Sequence, residues 1–425
     1  MTSRSQETSS VEKDISATSV DVLIVGGGMA GGLLAALLAD TDLSVLLIDA
    51  ASEPEMPQGD VHARVSAITE ASFNMLNNAG AWSRLPAQRL APYQSMDVWD
   101  ADGNGRVTFD AASVLASELG WIVENNAITA ALYQACVARN FDWRCGVRIE
   151  SLVRENASDE SHAWRATLTT GERYLATLLV GADGARSMVR SHAGIAAAPK
   201  DSGHMAIVAT VACELPHKAC ARQRFMETGP VAMLPLFGDQ HQFSLVWSAP
   251  PQMVEELMAL DSAAFSHALT QATEEVLGAC TVIGRRAAFP IQTLHASQYV
   301  GDGVALIGDA AHVVHPLAGQ GINLGFLDAA VLAEEILAAR KKGLGLTETS
   351  VLARYQRRRR GHNALMLNAL NGIKSIFEQR DPGLRFLRNA GMRLVNRMPL
   401  AKSLFATEAL GRNGDLPASA RSCGK

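Results

Sequence analysis

The feature that most constrains the fold is a strand, a glycine-rich turn, a helix and a second strand within residues 21–49. Residues 21–25 (DVLIV) are an apolar run of buried-strand length, and G-G-G-M-A-G at 26–31 follows in the pattern G-x-G-x-x-G. Residues 33–40 are rich in Ala and Leu, as a helix favours, and residues 44–48 predict a second strand that ends at Asp49. This order predicts a βαβ unit of the dinucleotide-binding type.

Each part of this unit has a role in holding a phosphate-bearing ligand. Gly26 permits the tight turn, Gly28 allows a pyrophosphate to approach the backbone, and Gly31 allows the helix to pack closely on the strand. The first helical turn offers unpaired N–H groups and the positive end of the helix dipole to a phosphate. Asp49 stands where a carboxylate can accept ribose hydroxyls. The alternative is a glycine turn that binds nothing, but the register of all four parts favours the dinucleotide site.

Two further glycine turns, each with an acidic residue, follow apolar runs later in the chain. Residues 178–180 (LLV) precede G-A-D-G-A-R-S at 181–187, and residues 304–307 (VALI) precede Gly308 and Asp309. Ligands of such sheets bind outside the carboxyl ends of the strands, so the three turns are expected to converge on one ligand. G-x-G-x-x-G does not recur, so the sequence indicates no separate nicotinamide-binding domain.

Length and composition bound the classes of function. A chain of 425 residues, 48% of them hydrophobic, predicts two domains with large cores. A net charge of −5 without a long basic block argues against nucleic acid as the main partner. The six cysteines form no C-x-x-C pair, which indicates neither a zinc ribbon nor a disulfide framework and fits a reducing cytoplasm. Residues 1–19 are polar and predict a disordered lead, and no apolar run reaches the ~18 residues of a membrane span.

Together these motifs resemble the flavin-dependent aromatic hydroxylases, which are single-component monooxygenases of the para-hydroxybenzoate hydroxylase fold. G-x-G-x-x-G, G-A-D-G-A-R-S and G-D-A-A-H…P-L-A-G-Q-G-x-N carry the resemblance, which spans about residues 20–415. The longer wording L-I-G-D-A-A-H-V-V-H-P-L-A-G-Q-G-I-N-L-G is similar to the ubiquinone-biosynthesis hydroxylases within that class. The stretches R-N-A-G at 388–391 and G-D-L-P at 414–417 most resemble the 2-polyprenylphenol hydroxylase branch.

The resemblance implies that the three turns hold FAD. Arg64 is expected at the FAD phosphates or ribose, with a surface salt bridge as its alternative role. Asp309 is expected near the ribityl chain and pyrophosphate, and Asp183 and Gly184 near the pyrophosphate and the nicotinamide reductant. The loop after Asp309 and the first turn of the next helix are expected to meet the flavin ring through Gly308, Pro316, Gly319, Gln320, Gly321 and Asn323.

The pair His312 and His315 raises the alternative of a metal site, because two histidines three residues apart can share a helix face. Pro316 follows at once and no nearby Cys, His or Asp completes a ligand set, so no metal is predicted. His312 is expected to be a hydrogen-bonding residue at a helix end. His315 is expected near the flavin and the substrate because it precedes the proline.

The predicted fold class is α/β, with an FAD-binding Rossmann-like βαβ domain, an inserted β-rich substrate domain and a helical C-terminal region. The predicted segments are 20–85, 116–195 and 285–345 for the FAD-binding domain, 86–115 and 196–284 for the substrate domain, 346–410 for the helical region and 411–425 for a loose tail. Residues 165–170 and 174–178 predict a hairpin beside the second glycine turn.

The sheet of the substrate domain is expected, by the same resemblance, to cover the flavin and bound the substrate pocket. The candidate pocket residues on its predicted strands are Phe225, Met233, Pro235, Phe237 and Trp247, joined by His315. For each of the five strand residues, ordinary core packing is the alternative. As a group they suit a prenylated phenol better than a carboxylated one.

The resemblance therefore implies an FAD-dependent monooxygenase that hydroxylates the ring of a polyprenylated phenol in ubiquinone biosynthesis. O2, a flavin C4a-hydroperoxide and NAD(P)H as reductant are the expected reactants. A later ring hydroxylation of the same pathway, on a methoxyphenol or methoxybenzoquinol, and a non-catalytic assembly subunit are the alternatives. The sequence assigns no catalytic base and no oligomeric state.

Residues 384–405 carry five basic side chains and no acidic one, with apolar residues at helical spacing up to Pro399. One interpretation is a helix packed on its own domain with a solvated basic face. The other is contact with an anionic membrane surface or with another ubiquinone-biosynthesis protein. The second interpretation places the protein in the cytoplasm, at the inner face of the membrane.

Overall fold

The computed structural model describes residues 17–61, 64–155, 164–315, 319 and 321–421. The strands are β1 (Thr18–Val25), β2 (Val45–Ile48), β3 (Val65–Ile68), β4 (Ala91–Tyr93), β5 (Ser95–Asp100), β6 (Arg106–Asp110), β7 (Gly120–Glu124), β8 (Asp142–Arg144), β9 (Ile149–Arg154), β10 (Trp164–Leu168), β11 (Arg173–Gly181), β12 (Lys200–Cys213), β13 (Cys220–Met226), β14 (Gly229–Pro235), β15 (Gln242–Ala249), β16 (Cys280–Val282), β17 (Ala287–His295), β18 (Val300–Gly301), β19 (Val304–Leu306) and β20 (His312–Val313). The α-helices are α1 (Met29–Leu38), α2 (Glu70–Asn78), α3 (Asn125–Val137), α4 (Met188–His192), α5 (Pro251–Ala259), α6 (Ser262–Ala272), α7 (Gly321–Lys341), α8 (Thr349–Phe377), α9 (Pro382–Arg397) and α10 (Pro399–Ala409).

The first sheet has the parallel core that the βαβ pattern predicts. Its order is β18-β19-β11-β1-β2-β8, with β10 and β9 added beside β11, and β1 runs parallel to both β2 and β11. Val22, Leu23 and Ile24 are fully buried, as expected of a central strand that is covered on both faces. The predicted hairpin is confirmed, because β10 and β11 pair antiparallel.

The second sheet is mostly antiparallel, in the order β20-β17-β12-β15-β14-β13-β5-β6, with β16 paired to β12. Side chains on its strands alternate between two faces. One face packs against α5 and α6, where Phe243 and Phe265 are fully buried. The opposite face packs on the rest of the molecule, since Phe225 of β13 shares a cluster with Leu324 of α7.

The chain passes from the first sheet to the second through the third glycine turn. It leaves the first sheet at β19 and enters the second at β20, where Val313 pairs with Leu294 of β17. Gly308 and Asp309 lie between these two strands, so the third turn stands where the sheets meet. A small sheet of β3, β7 and β4 also packs on the second sheet, through Tyr93.

The C-terminal region is helical, which completes the predicted α/β fold class. α7 packs along α1 and α8. α9 ends at Arg397 and α10 begins at Pro399, where a proline cannot continue the preceding helix. Within the described ranges, no helix combines the length and the hydropathy that a membrane span requires.

The end of the described chain is more ordered than its composition suggests. The sequence predicts a loose tail from residue 411, whereas residues 418–420 pack against α2. The side-chain amides of Asn74 and Asn78 donate hydrogen bonds to the carbonyl oxygens of Ala420 (3.0 Å) and Ser419 (2.8 Å). Because the acceptors are backbone carbonyl oxygens, the hydrophobic pattern of the tail does not predict these bonds.

Candidate functional site

The first glycine turn joins β1 to α1 and leaves one position open. Gly26 has a φ of +106°, and a Cβ there would lie 2.4 Å from the carbonyl oxygen of Ala182. A Cβ on Gly31 would lie 2.0 Å from the carbonyl oxygen of Gly26, so backbone packing requires both glycines. At Gly28 a Cβ would meet no atom within 4 Å. Gly28 therefore faces open space at the N-terminus of α1, where a phosphate can lie against N–H groups.

Asp49 follows β2, the strand beside β1. One of its carboxylate oxygens accepts a hydrogen bond from the backbone N–H of Gly27, and the other accepts one from the N–H of Ala51 at 2.7 Å. These bonds hold the carboxylate beside the first glycine turn. Each carboxylate oxygen can accept a second hydrogen bond, which leaves acceptors for the ribose hydroxyls that the sequence predicts.

The second glycine turn lies between β11 and α4, and Asp183 is committed to its own chain. The Asp183 carboxylate accepts hydrogen bonds from the Ser187 hydroxyl and from the N–H groups of Met188 (2.7 Å) and Val189 (3.2 Å). Gly184 has a φ of +80°, and a Cβ there would meet no atom within 4 Å. Asp183 thus shapes the turn, and Gly184 is the position that a ligand can approach.

The third turn contacts the first. A Cβ on Gly308, which has a φ of +58°, would lie 3.1 Å from the Cβ of Ala30 in α1. Since Gly26 of the first turn also contacts Ala182 of the second, the three turns lie side by side as the sequence predicts. Their convergence is the geometry that one extended phosphate-bearing ligand requires.

Asp309 follows Gly308 in the third turn. Its side chain is exposed to solvent. The surrounding protein nevertheless raises the pKa of its carboxyl above the ordinary value, and Coulombic interactions with His312 and Arg64 partly offset this rise. Because the Asp309 side chain is exposed beside the three turns, a ligand that binds to them can reach it.

A buried polar network holds the third turn from the protein side. Asp328 of α7 accepts hydrogen bonds from the N–H of Gly308 (3.1 Å) and from Nε2 of His312 (2.5 Å). Its other oxygen accepts bonds from Nε of Arg359 (2.8 Å) and Nδ2 of Asn363 (3.0 Å), both on α8. Burial alone would raise the pKa of Asp328, but His312 and Arg359 more than offset this effect and lower the pKa to about 2.

Sequence reasoning missed this network. His312 lies in the short strand β20 and pairs with Asp328, whereas the sequence suggests a hydrogen-bonding residue at a helix end. One feature of the sequence points to the network, because the acidic residue Asp328 lies within the apolar run of α7. In the part of the chain that the structure describes, no group of three or more His, Cys, Asp or Glu side chains could hold a metal ion.

The glycine-rich loop after β20 is described only in part, since Pro316 and Gln320 lie outside the described residues. Gly319 has a φ of +61°, and a Cβ there would lie 3.2 Å from the Cβ of Ala67 in β3. Gly321 is the first residue of α7. The loop thus passes close to β3 before the helix begins.

Asn323 lies in the first turn of α7, where the sequence predicts it. Its Nδ2 donates a hydrogen bond to the carbonyl oxygen of Ala67 (2.9 Å), and its Oδ1 accepts one from the Ser72 hydroxyl (2.7 Å). The Asn323 side chain therefore ties α7 to β3 and α2. This tie fixes the direction of the helix N-terminus, which is the positive end of its dipole.

Arg64 lines a cavity of about 790 Å³ between the second sheet and the N-terminus of α3. Its guanidinium lies 5.4 Å from the centroid of the Phe289 ring on β17. The other lining residues are Val61, Asn125, Asn126, Val208, Thr210, Gly284, Arg285 and Ala287. As a lining residue, Arg64 can be reached by an anionic ligand such as a phosphate that enters the cavity.

The residues predicted for the substrate pocket divide between the two faces of the second sheet. Met233 and Trp247 lie in the core against α5 and α6, with Phe265. Pro235 follows Met233 by two residues in β14 and points to the same side. These three side chains therefore face away from the glycine turns. Alternation along a strand defines two faces but does not say which of them meets a ligand.

Phe225 and Phe237 do not lie in that core. Phe225 stacks on Phe377 of α8, with ring centroids 4.0 Å apart, on the face directed toward α7 and α8. Phe237 is half-buried near the small sheet, and the guanidinium of Arg89 lies 5.5 Å from its ring centroid. Of the five strand residues, Phe225 is the one that the structure brings to the side of the glycine-rich loop.

His315 is buried just after β20, immediately before that loop. No hydrogen-bond partner for either ring nitrogen is found in the described part of the chain. Its ring meets His204 of β12 edge-on, with centroids 6.4 Å apart. Burial, aided by the charges of Lys374 and His204, lowers the pKa of His315 to about 4. The imidazole is therefore neutral near pH 7, with one nitrogen able to accept a hydrogen bond.

These residues fit FAD. Gly28 and Gly184 leave open space against the backbone, α1 presents its N-terminus, Asp49 offers acceptors and the Asp309 side chain is exposed beside the third turn. Pyrophosphate, ribose and ribityl groups need such N–H donors and acidic acceptors.

Comparison with known proteins agrees with this fit. A family model described as an FAD binding domain matches residues 19–369. The 3-demethoxyubiquinol 3-hydroxylase of Escherichia coli is 36% identical over 92% of this chain and 98% of its own length. The ubiquinone hydroxylase UbiL of Rhodospirillum rubrum is 35% identical over 92% of this chain and 89% of its own.

The fold is shared with a solved monooxygenase. The structure of p-nitrophenol 4-monooxygenase PnpA from Pseudomonas putida superposes with a TM-score of 0.74 at 19% identity, covering 93% of this chain and 99% of that one. The family model and the two hydroxylases match most of the sequence, so they support membership of a protein family and not only a shared fold. The chain therefore belongs to the family of FAD-dependent monooxygenases that includes these ubiquinone-biosynthesis hydroxylases.

Proposed function

We propose that this protein hydroxylates the aromatic ring of a 2-polyprenylphenol in ubiquinone biosynthesis, at the carbon beside the phenolic hydroxyl. O2 supplies the oxygen atom and NAD(P)H is the proposed reductant. The observation that carries the proposal is the 36% identity to a hydroxylase of that pathway over 92% of this chain. The choice of the polyprenylphenol rests on the sequence resemblance of the R-N-A-G and G-D-L-P stretches.

The residues of this chain would hold the reactants and exclude water. Bound FAD would supply the activated oxygen for ring hydroxylation. Gly28, Gly184 and Asp309 would receive its pyrophosphate and ribityl chain, and Asp49 its ribose. Arg64 stands over the cavity of about 790 Å³, where it can meet a phosphate of FAD or of the nicotinamide nucleotide.

His315 is the proposed partner of the ring hydroxyl. A phenol reacts more readily with an electron-poor oxygen when a hydrogen-bond acceptor withdraws its proton. The His315 imidazole is neutral and buried, and no described residue pairs with it. It also precedes the loop that the family places against the flavin ring. A phenolic O–H donated to this nitrogen would satisfy a buried acceptor for which the described residues provide no donor.

The proposed neighbour of the prenyl tail is an apolar cluster beside His315. Its buried members are Phe225, Val314, Leu324, Leu367 and Leu370, with Val98, Met366 and Phe377 packed against them. The cluster joins β13 and the chain before the glycine-rich loop to α7 and α8. Each CH₂ group of an isoprenoid that is fully buried here contributes ~0.8 kcal/mol, so a tail of several units would supply much of the binding free energy.

The proposal includes peripheral contact with an anionic membrane through residues 384–405. The large apolar side chains that α9, α10 and their junction expose to solvent are Leu384, Phe386, Leu387, Leu394, Met398, Leu404 and Phe405. α9 is nevertheless anchored, because Arg388 forms a buried two-point ion pair with Asp100 of β5 at 2.6 and 2.8 Å. The exposed apolar face and the basic side chains Arg397 and Lys402 suit a surface of anionic lipid, from which a prenylated substrate would arrive.

A later ring hydroxylation of the same pathway is the second candidate. The specific observation in its favour is the identity of the Escherichia coli relative, which is a 3-demethoxyubiquinol 3-hydroxylase. Both reactions need the same flavin site and an apolar tail site. They differ in the groups already on the ring, since a methoxylated ring needs more space near His315.

Deletion of the gene in its host tests the proposal and separates the two candidates. Mass spectrometry of the lipid extract would identify the prenylated ring that accumulates. A prenylphenol without added oxygen supports the proposed step, and a methoxylated intermediate moves the assignment to the later one. Restoration by the wild-type gene, with failure of a Gly28→Leu variant, would distinguish an enzyme from a non-catalytic assembly subunit.

A further inference from the structure

Two cysteines that lie far apart in the sequence meet in the second sheet. Cys213 ends β12 and Cys280 begins β16, and the antiparallel pairing of these strands places the two residues directly opposite each other. Their Sγ atoms are 2.9 Å apart. Both side chains are buried, and both cysteines are free thiols.

The backbone at this pair has the geometry that a disulfide needs. The N–H of Cys213 donates to the carbonyl oxygen of His241, and the N–H of Cys280 donates to the Thr270 hydroxyl, each at 2.9 Å. The two cysteines therefore exchange no backbone hydrogen bonds and form the closer type of antiparallel pair, with Cα atoms about 4.5 Å apart. Disulfides span Cα separations of about 4.4–6.8 Å, so bond formation requires little backbone movement.

We propose that Cys213 and Cys280 are a reversible oxidation site that forms an intramolecular disulfide when the protein meets hydrogen peroxide. One thiolate attacks the peroxide O–O bond and becomes a sulfenic acid as water leaves. The second thiol attacks that sulfur, the S–S bond forms and a second water leaves. Two thiols are oxidised and one peroxide is reduced to two waters, so atoms and electrons balance.

Cys280 is the sulfur expected to react first. The hydrogen bond between the two sulfur atoms lowers the pKa of Cys280, which favours its thiolate. β16 is only three residues long, and Ala279 and Thr281 on either side of Cys280 are exposed. A local opening of this short strand is enough to admit peroxide.

The disulfide would fasten the outer part of the second sheet. It links β12 to β16 across β13, β14, β15, α5 and α6, all of which lie between the two cysteines in the sequence. Gly284 and Arg285 follow β16 and line the same cavity as Arg64. The disulfide would therefore also restrain this side of the cavity. Oxidation should therefore raise the thermal stability of the protein.

Peptide mapping of the purified flavin-loaded protein tests this inference independently of its substrate. The protein is treated with hydrogen peroxide, unfolded in a thiol-alkylating reagent, digested and analysed by mass spectrometry. The expected result is a peptide pair linked through Cys213 and Cys280, which dithiothreitol separates. Cys280→Ser should abolish the link, and Cys136→Ser should retain it. The oxidised wild type should also melt at a higher temperature than Cys280→Ser. Recovery of alkylated Cys213 and Cys280 as unlinked peptides after peroxide treatment would overturn the proposal, and so would sulfinic acid without a linked product.

Discussion

His312 and Asp328 form a buried hydrogen bond across β20 and α7, with Nε2 and Oδ2 2.5 Å apart. The same Asp328 oxygen accepts the N–H of Gly308, and the other oxygen meets Arg359. One carboxylate thus joins the third glycine turn to α7 and α8. Asp309 follows Gly308 in the chain, so these bonds also fix the position of Asp309.

Asp328→Asn should destabilise the protein by about 3–5 kcal/mol, because it leaves the Arg359 guanidinium buried without its counter-ion. The pKa of Asp328 is lowered from 3.8 to about 2 in the folded state. Its contribution to stability is therefore complete above pH 3.8 and is lost as the pH falls toward about 2. Urea unfolding at several pH values measures this difference. Asp42→Asn, which removes an exposed pair with Arg340, is the matched control and should change little. Equal stability of the two variants at pH 7 would contradict the role given to the network.

Gly28 and Gly31 should respond differently to enlargement. Gly28 has an extended backbone that any residue can adopt, and its Cβ position is open. Gly28→Leu should therefore fold normally but lose FAD affinity by more than about tenfold, or ~1.4 kcal/mol, by occupying the pyrophosphate position. Gly31→Leu should fail to fold, because its Cβ would lie 2.0 Å from the Gly26 carbonyl oxygen. Flavin absorbance after gel filtration and circular dichroism measure the two effects. Full flavin retention by folded Gly28→Leu would remove this turn from the FAD site.

His315 should make the protein sensitive to mild acid. Burial lowers its pKa to about 4 from 6.5, so the unfolded chain takes up a proton before the folded chain does. The associated stability is complete above pH 6.5 and falls by on the order of 3 kcal/mol as the pH drops to about 4. His315→Gln should lose less stability than the wild type across this range. His192→Gln, which replaces an exposed histidine of α4, serves as the control and should follow the wild-type profile. Parallel pH profiles for wild type and His315→Gln would contradict the assignment of a neutral buried imidazole.

Membrane contact should depend on the exposed apolar residues of α9. The wild type is expected to float with vesicles that contain anionic lipid, and this binding should fall with salt because charge screening weakens the attraction. Replacing Phe386 and Leu387 with Ser should reduce flotation. Val153→Ser removes an exposed apolar side chain from β9 of the first sheet and should leave it unchanged. Absence of flotation at low salt would contradict membrane contact. It would leave packing on its own domain, or contact with a protein partner, as the role of this helix.

Local sequence pattern predicted the parts of the fold that are themselves local. The βαβ unit, the β10–β11 hairpin and the break at Pro399 each follow from residues within one short segment. The convergence of the three turns was also predictable, because parallel strands place their carboxyl ends along one edge. The network around Asp328 was not, since its partners are contributed by β20 and α8 and leave no periodic signal.

The residues of the substrate pocket were harder to predict from sequence, for a different reason. Met233 and Trp247 were correctly placed on strands by their pattern, yet both side chains pack against α5 and α6. Which face of a strand meets a helix and which meets a ligand is decided by tertiary packing, not by period-two alternation. The contact between Cys213 and Cys280 depends in the same way on the register of β12 and β16.

Oxygen transfer from labelled O2 tests the central proposal most directly. The purified protein, loaded with FAD, is supplied with NADH or NADPH and a short-chain 2-polyprenylphenol under isotopically labelled O2, and the product is analysed by mass spectrometry. The proposal predicts a catechol that carries one labelled oxygen atom beside the phenolic hydroxyl, with its yield reduced in His315→Gln. A protein that retains FAD and consumes O2 but leaves both the prenylphenol and a demethoxyubiquinol unchanged, releasing only hydrogen peroxide, would contradict it.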